Sequence, residues 1–179
     1  MIPIFLHKDK EKLLSLGAGT SLALSGVVYT ARDAAHERLA SMIRDGEGLP
    51  FSLKDALIFY AGPAPAPPGR ACGAIGPTTS SRMDPFTPLL LEQGIMGALG
   101  KGKRSPAVKE AFCRFGAVYL VAVGGAAAFL SRYVKKIELC AFGDLGPEAV
   151  YRVELNGFPC FVGLDVRGGD IYTMREDRR

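Results

Sequence analysis

Hydrophobic and polar positions change period several times along the chain. Residues 19–30 are rich in Ser, Thr, Leu and Val, a composition that predicts one or two strands entering a turn. Thr30-Ala31-Arg32-Asp33 then makes a capping-box-like helix start. Ala35, Leu39 and Met42 recur at helical spacing with Glu37 and Arg38 on other faces, and Gly46 and Gly48 end the pattern. A short strand is expected at 56–60. Past Pro88 the pattern predicts a helix at 89–93, a strand at 95–99, a helix at 106–115 and a strand at 117–123. Gly124-Gly125 turns the chain into a small-residue helix at 126–133. β-character returns at 136–140, 149–155 and 158–162, and Asn156-Gly157 between the last two is a strong hairpin signal. Strands and helices thus interleave, without an internal repeat, as in a single mixed α/β domain.

Residues 61–69 alternate Ala and Pro between two glycines, and cannot be a regular helix or a central strand. An ordered loop fits better than an inter-domain linker, because the chain on either side is too short for two good cores. The glycine-dense segment 73–77 extends that loop. The longest apolar stretch, 117–130, is broken by Gly124 and Gly125 and falls short of the roughly 20 residues a membrane helix needs. Residues 1–5 are too short an apolar run for a signal peptide, and Lys8, Asp9, Lys10 and Glu11 follow at once. A cytoplasmic protein without a membrane partner is therefore expected. Residues 171–179 turn polar and read as a solvated tail.

At 179 residues, with 48% hydrophobic and 22% charged residues, the composition is that of an ordinary globular domain. The net charge of +4 is spread along the chain, which points to local anion sites and away from a nucleic-acid footprint. Cys72, Cys113, Cys140 and Cys160 form no C-x-x-C pair, so reduced thiols are expected. Cys113 on its helix and Cys160 in its strand read as small core residues.

Chemistry concentrates in three places. Thr78, Thr79, Ser80 and Ser81 follow Gly76-Pro77 and precede Arg82, a dense cluster of donors closed by a guanidinium suited to two-point carboxylate binding. A helical turn there would put Thr78 and Arg82 on one face; a polar surface loop is the plain alternative. Arg32 stands at a helix start, where the macrodipole disfavours a cation unless an anion shares the site; a solvent-exposed arginine is the alternative. Lys101 lies between Gly100 and Gly102, which let the backbone approach a ligand; a basic turn is the alternative, and the spacing is not that of a P-loop. His36 lies one turn after Arg32 and reads as a packed or surface histidine. There is no H-E-x-x-H, paired-carboxylate or Cys–His arrangement. Such an inventory suits binding of a small dicarboxylate, with the electrophile supplied from elsewhere.

The chain resembles the β-subunits of class I iron–sulfur fumarases and L(+)-tartrate dehydratases, equivalent to the fumarase C-terminal domain. The resemblance rests on Thr30-Ala31-Arg32-Asp33-Ala34-Ala35-His36, Tyr60-Ala61-Gly62-Pro63, Gly76-Pro77-Thr78-Thr79 with Arg82-Met83-Asp84, Gly100-Lys101-Gly102, 119–127 and Leu145-Gly146-Pro147-Glu148-Ala149, in order over nearly the whole chain. It implies a swivelling β/β/α domain spanning 1–179, which closes over a four-iron four-sulfur cluster ligated by an α-subunit; this chain alone would bind no cluster. It also implies that Arg32, Arg82 and Lys101 bind substrate carboxylates and that Thr78 is the catalytic base, assisted by an Asp of the partner. The implied reaction is reversible hydration of fumarate to L-malate, with L-tartrate dehydration as the same-class alternative and a non-catalytic anion-binding domain as the alternative of another class. Family members often carry Asn where this chain has Lys103. On this reading the four site residues converge on one concavity, unfinished on the side where the partner docks.

Overall fold

The computed structural model describes residues 1–174. In chain order the elements are β1 (Ile2–Phe5), α1 (Lys10–Ser15), β2 (Ser21–Thr30), α2 (Asp33–Arg44), β3 (Leu57–Phe59), α3 (Thr87–Glu92), β4 (Gly97–Gly100), α4 (Pro106–Arg114), β5 (Val118–Val121), α5 (Ala127–Leu130), β6 (Val134–Ala141) and β7 (Val150–Leu164). Single 3-10 segments lie at Ser80–Met83, Ser131–Tyr133 and Gly143–Glu148. Strands β2, β3, β4 and β5 are mutually parallel in that order. β7 runs antiparallel to both β5 and β2, so these five strands close into a ring. β1 extends β2 in parallel, and β6 extends β7 antiparallel.

The two-residue period of a strand sorts the core into two layers. Leu22, Leu24, Phe59, Leu99, Leu120 and Val162 belong to one fully buried cluster, which fills the ring. Their neighbours Ile58, Tyr60, Ala98 and Tyr119 face the other way, into a second cluster with Ala35 of α2, Leu90 and Leu91 of α3, and Val108 and Phe112 of α4. The helices follow the parallel strands because a parallel neighbour can be reached only by a crossover, and each crossover lays its apolar stripe on the outer face. Among the described residues no helix is long and apolar enough to cross a membrane.

The expected hairpin at Asn156-Gly157 does not occur. β7 continues through it, and between the pairs Leu24–Phe158 and Gly26–Leu155 it carries one residue more than β2. Gly157 takes φ 67° in this bulge and its N–H is held by Ser25 Oγ at 2.9 Å. A bulge and a tight turn make the same demand for positive φ, and here the long partner β2 decides between them. The helix start at residue 30 also differs. Thr30 caps nothing in α2; its buried hydroxyl accepts the Tyr151 N–H at 3.0 Å, and Arg32 occupies the N-cap without a side-chain cap bond. The Ala34 N–H is met by Glu148 Oε2 at 3.0 Å, a cap supplied from 114 residues away.

Two further expectations fail on packing. Cys113 is exposed, because α4 buries Val108, Ala111 and Phe112 and turns Cys113 outward; Cys160 is buried as expected. The tail is only partly solvated: Ile171 and Tyr172 pack on the outer cluster, and Tyr172 O–H accepts the Gly102 N–H at 3.0 Å. Residues 175–179 lie outside the described residues. The loop 61–69 is pinned at its base, where Ala64 and Gly73–Ala74 exchange backbone bonds of 3.0 and 3.1 Å.

Candidate functional site

The parallel strands β2, β3, β4 and β5 all end on one edge of the ring, and their carboxyl ends lead into Arg32, Tyr60, Lys101 and Gly124 respectively. Loops at such an edge are where open parallel sheets bind ligands, since backbone groups there are free of the ladder. The hydroxyl-rich segment lies across these ends. Thr78 donates both its N–H, at 2.7 Å, and its O–H, at 3.0 Å, to the Tyr60 carbonyl. Thr79 and Lys101 form an isolated parallel bridge. Ser80 N–H donates to the Lys101 carbonyl and Lys101 N–H to Ser80 Oγ, both at 2.9 Å. This clamp needs Gly100: a Cβ there would stand 1.9 Å from Ser80 Oγ. A helical turn from Thr78 to Arg82 does not form; the 3-10 turn begins only at Ser80, so Thr78 stays on the extended approach to it.

Each cation has a defined neighbour. Arg82 reaches back to the first residue of α2, its Nε 3.0 Å from Asp33 Oδ1 and its Nη2 2.5 Å from Oδ2. Arg32 stands 3.5 Å from Glu148 through Nη2, while its Nε is buried without a hydrogen-bond partner. Its stem lies along Gly62, where a Cβ would sit 3.0 Å from Arg32 Cδ and 2.6 Å from the Pro147 carbonyl. The Lys101 side chain lies along Gly124, whose added Cβ would come within 3.4 Å of Nζ. These contacts bring all four residues singled out from the sequence to the same edge. The expected concavity is not among the described cavities. One of about 660 Å³, lined by Lys10, Tyr29, Asp55 and Arg152, and one of about 300 Å³, lined by Pro63, Cys72, Pro147 and Tyr151, contain none of the four. Arg82 stands open at the surface, its side chain 48% exposed, while Arg32, Thr78 and Lys101 are half-buried.

Beneath them lies a polar layer that the sequence reading missed. Arg104 is 4% exposed, with Nε 2.6 Å from Asp84 Oδ1 and Nη2 2.7 Å from Thr87 Oγ1, and it lies among the rings of Tyr60, Phe112 and Tyr119 at 5.0–5.5 Å. Burial works against its charge, but Tyr60, Asp84 and Tyr119 outweigh that and hold its pKa above the usual arginine value. Asp84 also accepts the Ser105 N–H at 2.8 Å. Tyr119, its pKa raised chiefly by burial, directs its O–H between Ser80 Oγ and the Gly102 carbonyl, both at 2.9 Å. Nothing in the spacing of Lys101, Lys103 and Arg104 marks the last of them as interior.

His36 is fully buried against Tyr60 and Phe86. Because a carbonyl can only accept, its Nδ1 carries the proton and donates to the Arg32 carbonyl at 2.9 Å. Burial lowers its pKa to about 4, so it is neutral near pH 7 and serves as a packed support for the start of α2. Among the described residues no three of His, Cys, Asp and Glu are gathered to hold a metal ion. Burial pushes the Cys160 thiol up to about 12 and raises that of Cys72, which makes both poor thiolate ligands.

The fold is thus an α/β ring with two guanidiniums, an ammonium and a hydroxyl gathered at the carboxyl ends of its parallel strands. The chain belongs to the fumarase C-terminus family, whose model matches residues 2–175. It is 43% identical over 157 residues to fumarate hydratase 1, mitochondrial, of Leishmania major, covering 87% of this chain and 29% of that protein. It is 42% identical over 170 residues to the aerobic class I fumarate hydratase of Escherichia coli strain K12, covering 92% of this chain and 31% of that protein. A putative L(+)-tartrate dehydratase subunit beta of Methanocaldococcus jannaschii is 38% identical over 174 residues, which is 94% of this chain and 89% of that one. The chain thus spans under a third of the length of these fumarate hydratases.

Proposed function

We propose that this chain is the β-subunit, or C-terminal-domain equivalent, of a class I hydro-lyase that reversibly hydrates fumarate to L-malate together with a cluster-bearing α-subunit. The observation that carries the reading is the meeting of Thr78, Arg32, Arg82 and Lys101 on one strand-end edge, from segments up to 69 residues apart in sequence. Dehydration of L-tartrate is the second reading, favoured by the relatives that carry that name. Either substrate is a small dicarboxylate, whose charges the two arginines and Lys101 would meet.

Removing a proton beside a carboxylate spreads negative charge onto that carboxylate. Cations already fixed there lower the barrier more than they tighten the ground state. Arg82 suits this role because a planar fork can hold both oxygens. The Thr78 hydroxyl spends its own proton on the Tyr60 carbonyl, which turns its lone pairs away from that bond. An alcohol holds an added proton too weakly to act as a base by itself, and a backbone carbonyl cannot take the displaced one. Thr78 therefore works as a relay, and the final acceptor must be a carboxylate. The carboxylates at this edge, Asp33 and Glu148, are engaged by Arg82 and Arg32, so the acceptor falls to the partner. Cys72 and Cys160 are buried with raised thiol pKa values, and the four-iron four-sulfur cluster is assigned to the partner on this reading. When bound, that cluster supplies a Lewis acid for the substrate's hydroxyl.

Kinetics of the two-subunit enzyme test the assignment. Thr78→Ala should lower kcat by about 100-fold or more, the usual range for losing a general base, with little change in KM. Arg82→Lys should damage KM and kcat together. Near-normal kcat in Thr78→Ala removes the relay role.

A further inference from the structure

We propose that Asp33 is a positioning residue for Arg82. The proposal rests on the reading of Arg82 as a substrate-binding group. Asp33 is the first residue of α2, and Arg82 closes the 3-10 segment that carries the hydroxyl cluster, 49 residues later. Their two parallel bonds engage Nε and Nη2 of the guanidinium. Five N–H groups project from an arginine, and this arrangement consumes those on the Nε edge. Both N–H groups of Nη1 and the second of Nη2 remain, and one from each of these nitrogens forms the adjacent, end-on edge of the fork. A substrate carboxylate is then received end-on while Asp33 holds the other edge.

Four features make this more than a surface ion pair. Arg82 is 48% exposed and sits on a short turn, so without a second tether its long side chain would sample many rotamers. Asp33 is itself fixed, because it starts a 12-residue helix whose next residue is capped by Glu148. Arg32 precedes Asp33 directly, so one backbone junction sets the spacing between both guanidiniums. The carboxylates also keep the cations compatible. Arg32, Arg82 and Lys101 together carry three positive charges on one edge, and Asp33 and Glu148 reduce that excess to one before substrate arrives.

An opposite role is conceivable for the same contact: Asp33 could occupy Arg82 in place of substrate and have to be displaced. The two roles predict opposite signs. If Asp33 positions Arg82, Asp33→Asn in the two-subunit enzyme lowers kcat/KM for fumarate by roughly tenfold or more. If it blocks Arg82, the same change raises kcat/KM. Asp33→Asn, Arg82→Ala and the double variant should be measured together, with the melting temperature of each. The expected result is non-additivity: the double variant is no slower than Arg82→Ala alone, because Asp33 acts only through Arg82. Asp33→Glu, which keeps the charge and the acidic helix start, should recover part of the loss; a role confined to helix stability would leave the losses additive. An unchanged or raised kcat/KM in Asp33→Asn, with Arg82→Ala impaired, overturns the positioning role alone. An unimpaired Arg82→Ala overturns it together with the assignment of Arg82 to the substrate.

Discussion

Replacing Arg104 by Met should be the most damaging single change to the layer under the site. The substitution keeps a long, slender side chain in place but removes the charge-assisted bond to Asp84 at 2.6 Å and the bond to Thr87 at 2.7 Å. Asp84 would remain 13% exposed, its Oδ2 still bonded to Ser105 N–H and its Oδ1 deprived of a partner. Breaking one side of a buried pair costs about 3–5 kcal/mol, because the surviving charge stays desolvated. Against a typical domain stability of about 5–15 kcal/mol, the variant should fold but lie close to its limit. For a chain of this size that loss corresponds to roughly 6–20 °C in melting temperature. Urea unfolding checks it: the midpoint should fall while the slope stays constant, since the surface exposed on unfolding is unchanged. Arg104→Met/Asp84→Asn should recover part of the stability by removing the orphaned charge. A loss below about 1 kcal/mol in the single variant, the range of a surface pair, would refute the view that Arg104 and Asp84 form a buried, interdependent unit.

Gly100→Ala should destabilise by about 1–3 kcal/mol from overpacking. By turning Ser80 Oγ away from the Lys101 N–H it should also speed hydrogen exchange at that amide. His36 should impose a pH dependence on stability. Below pH 6.5 the unfolded chain takes up a proton that the folded one refuses until about pH 4. Stability is therefore full above about pH 6.5 and falls as pH drops through that window, by roughly 3 kcal/mol in total. Denaturation curves of His36→Gln should lack that component of the slope. Asp165 accepts the N–H groups of Ala18, Arg167 and Gly169 at 2.9–3.0 Å; Asp165→Ala should cost at least about 1 kcal/mol by leaving donors unmet, read as a lower melting temperature.

What could be read from the chain was decided by the range of the forces involved. The expected strands and helices from 19–30 to 136–140 were legible because period and local stop signals suffice for them. At Asn156-Gly157 the local signal was sound but ambiguous, and the partner strand β2 resolved it into a bulge. Closure of the ring was out of reach, since β2 and β7 pair across residues such as Leu22 and Cys160. The same holds for the Glu148 cap on α2. Thr78, Arg82 and Lys101 stood out because hydroxyls, glycines and a cation crowd into short segments. Arg104 did not, because an arginine after two lysines looks solvated until the rings of Tyr60, Phe112 and Tyr119 are placed around it. The Asp33–Arg82 pair was equally hidden, although both residues fell within segments that drew attention.

We propose that this chain supplies the carboxylate-binding and proton-relay half of a hydro-lyase site that another chain completes. The most direct measurement is an anaerobic assay of malate formation from fumarate, with L-tartrate in parallel. It would use the chain alone, the cluster-bearing subunit alone and the two combined. Turnover is expected only in the combination, and is lost when the added chain carries Thr78→Ala. Turnover by the chain alone, or a reconstituted pair that forms a complex with an intact cluster and converts neither dicarboxylate, would contradict it.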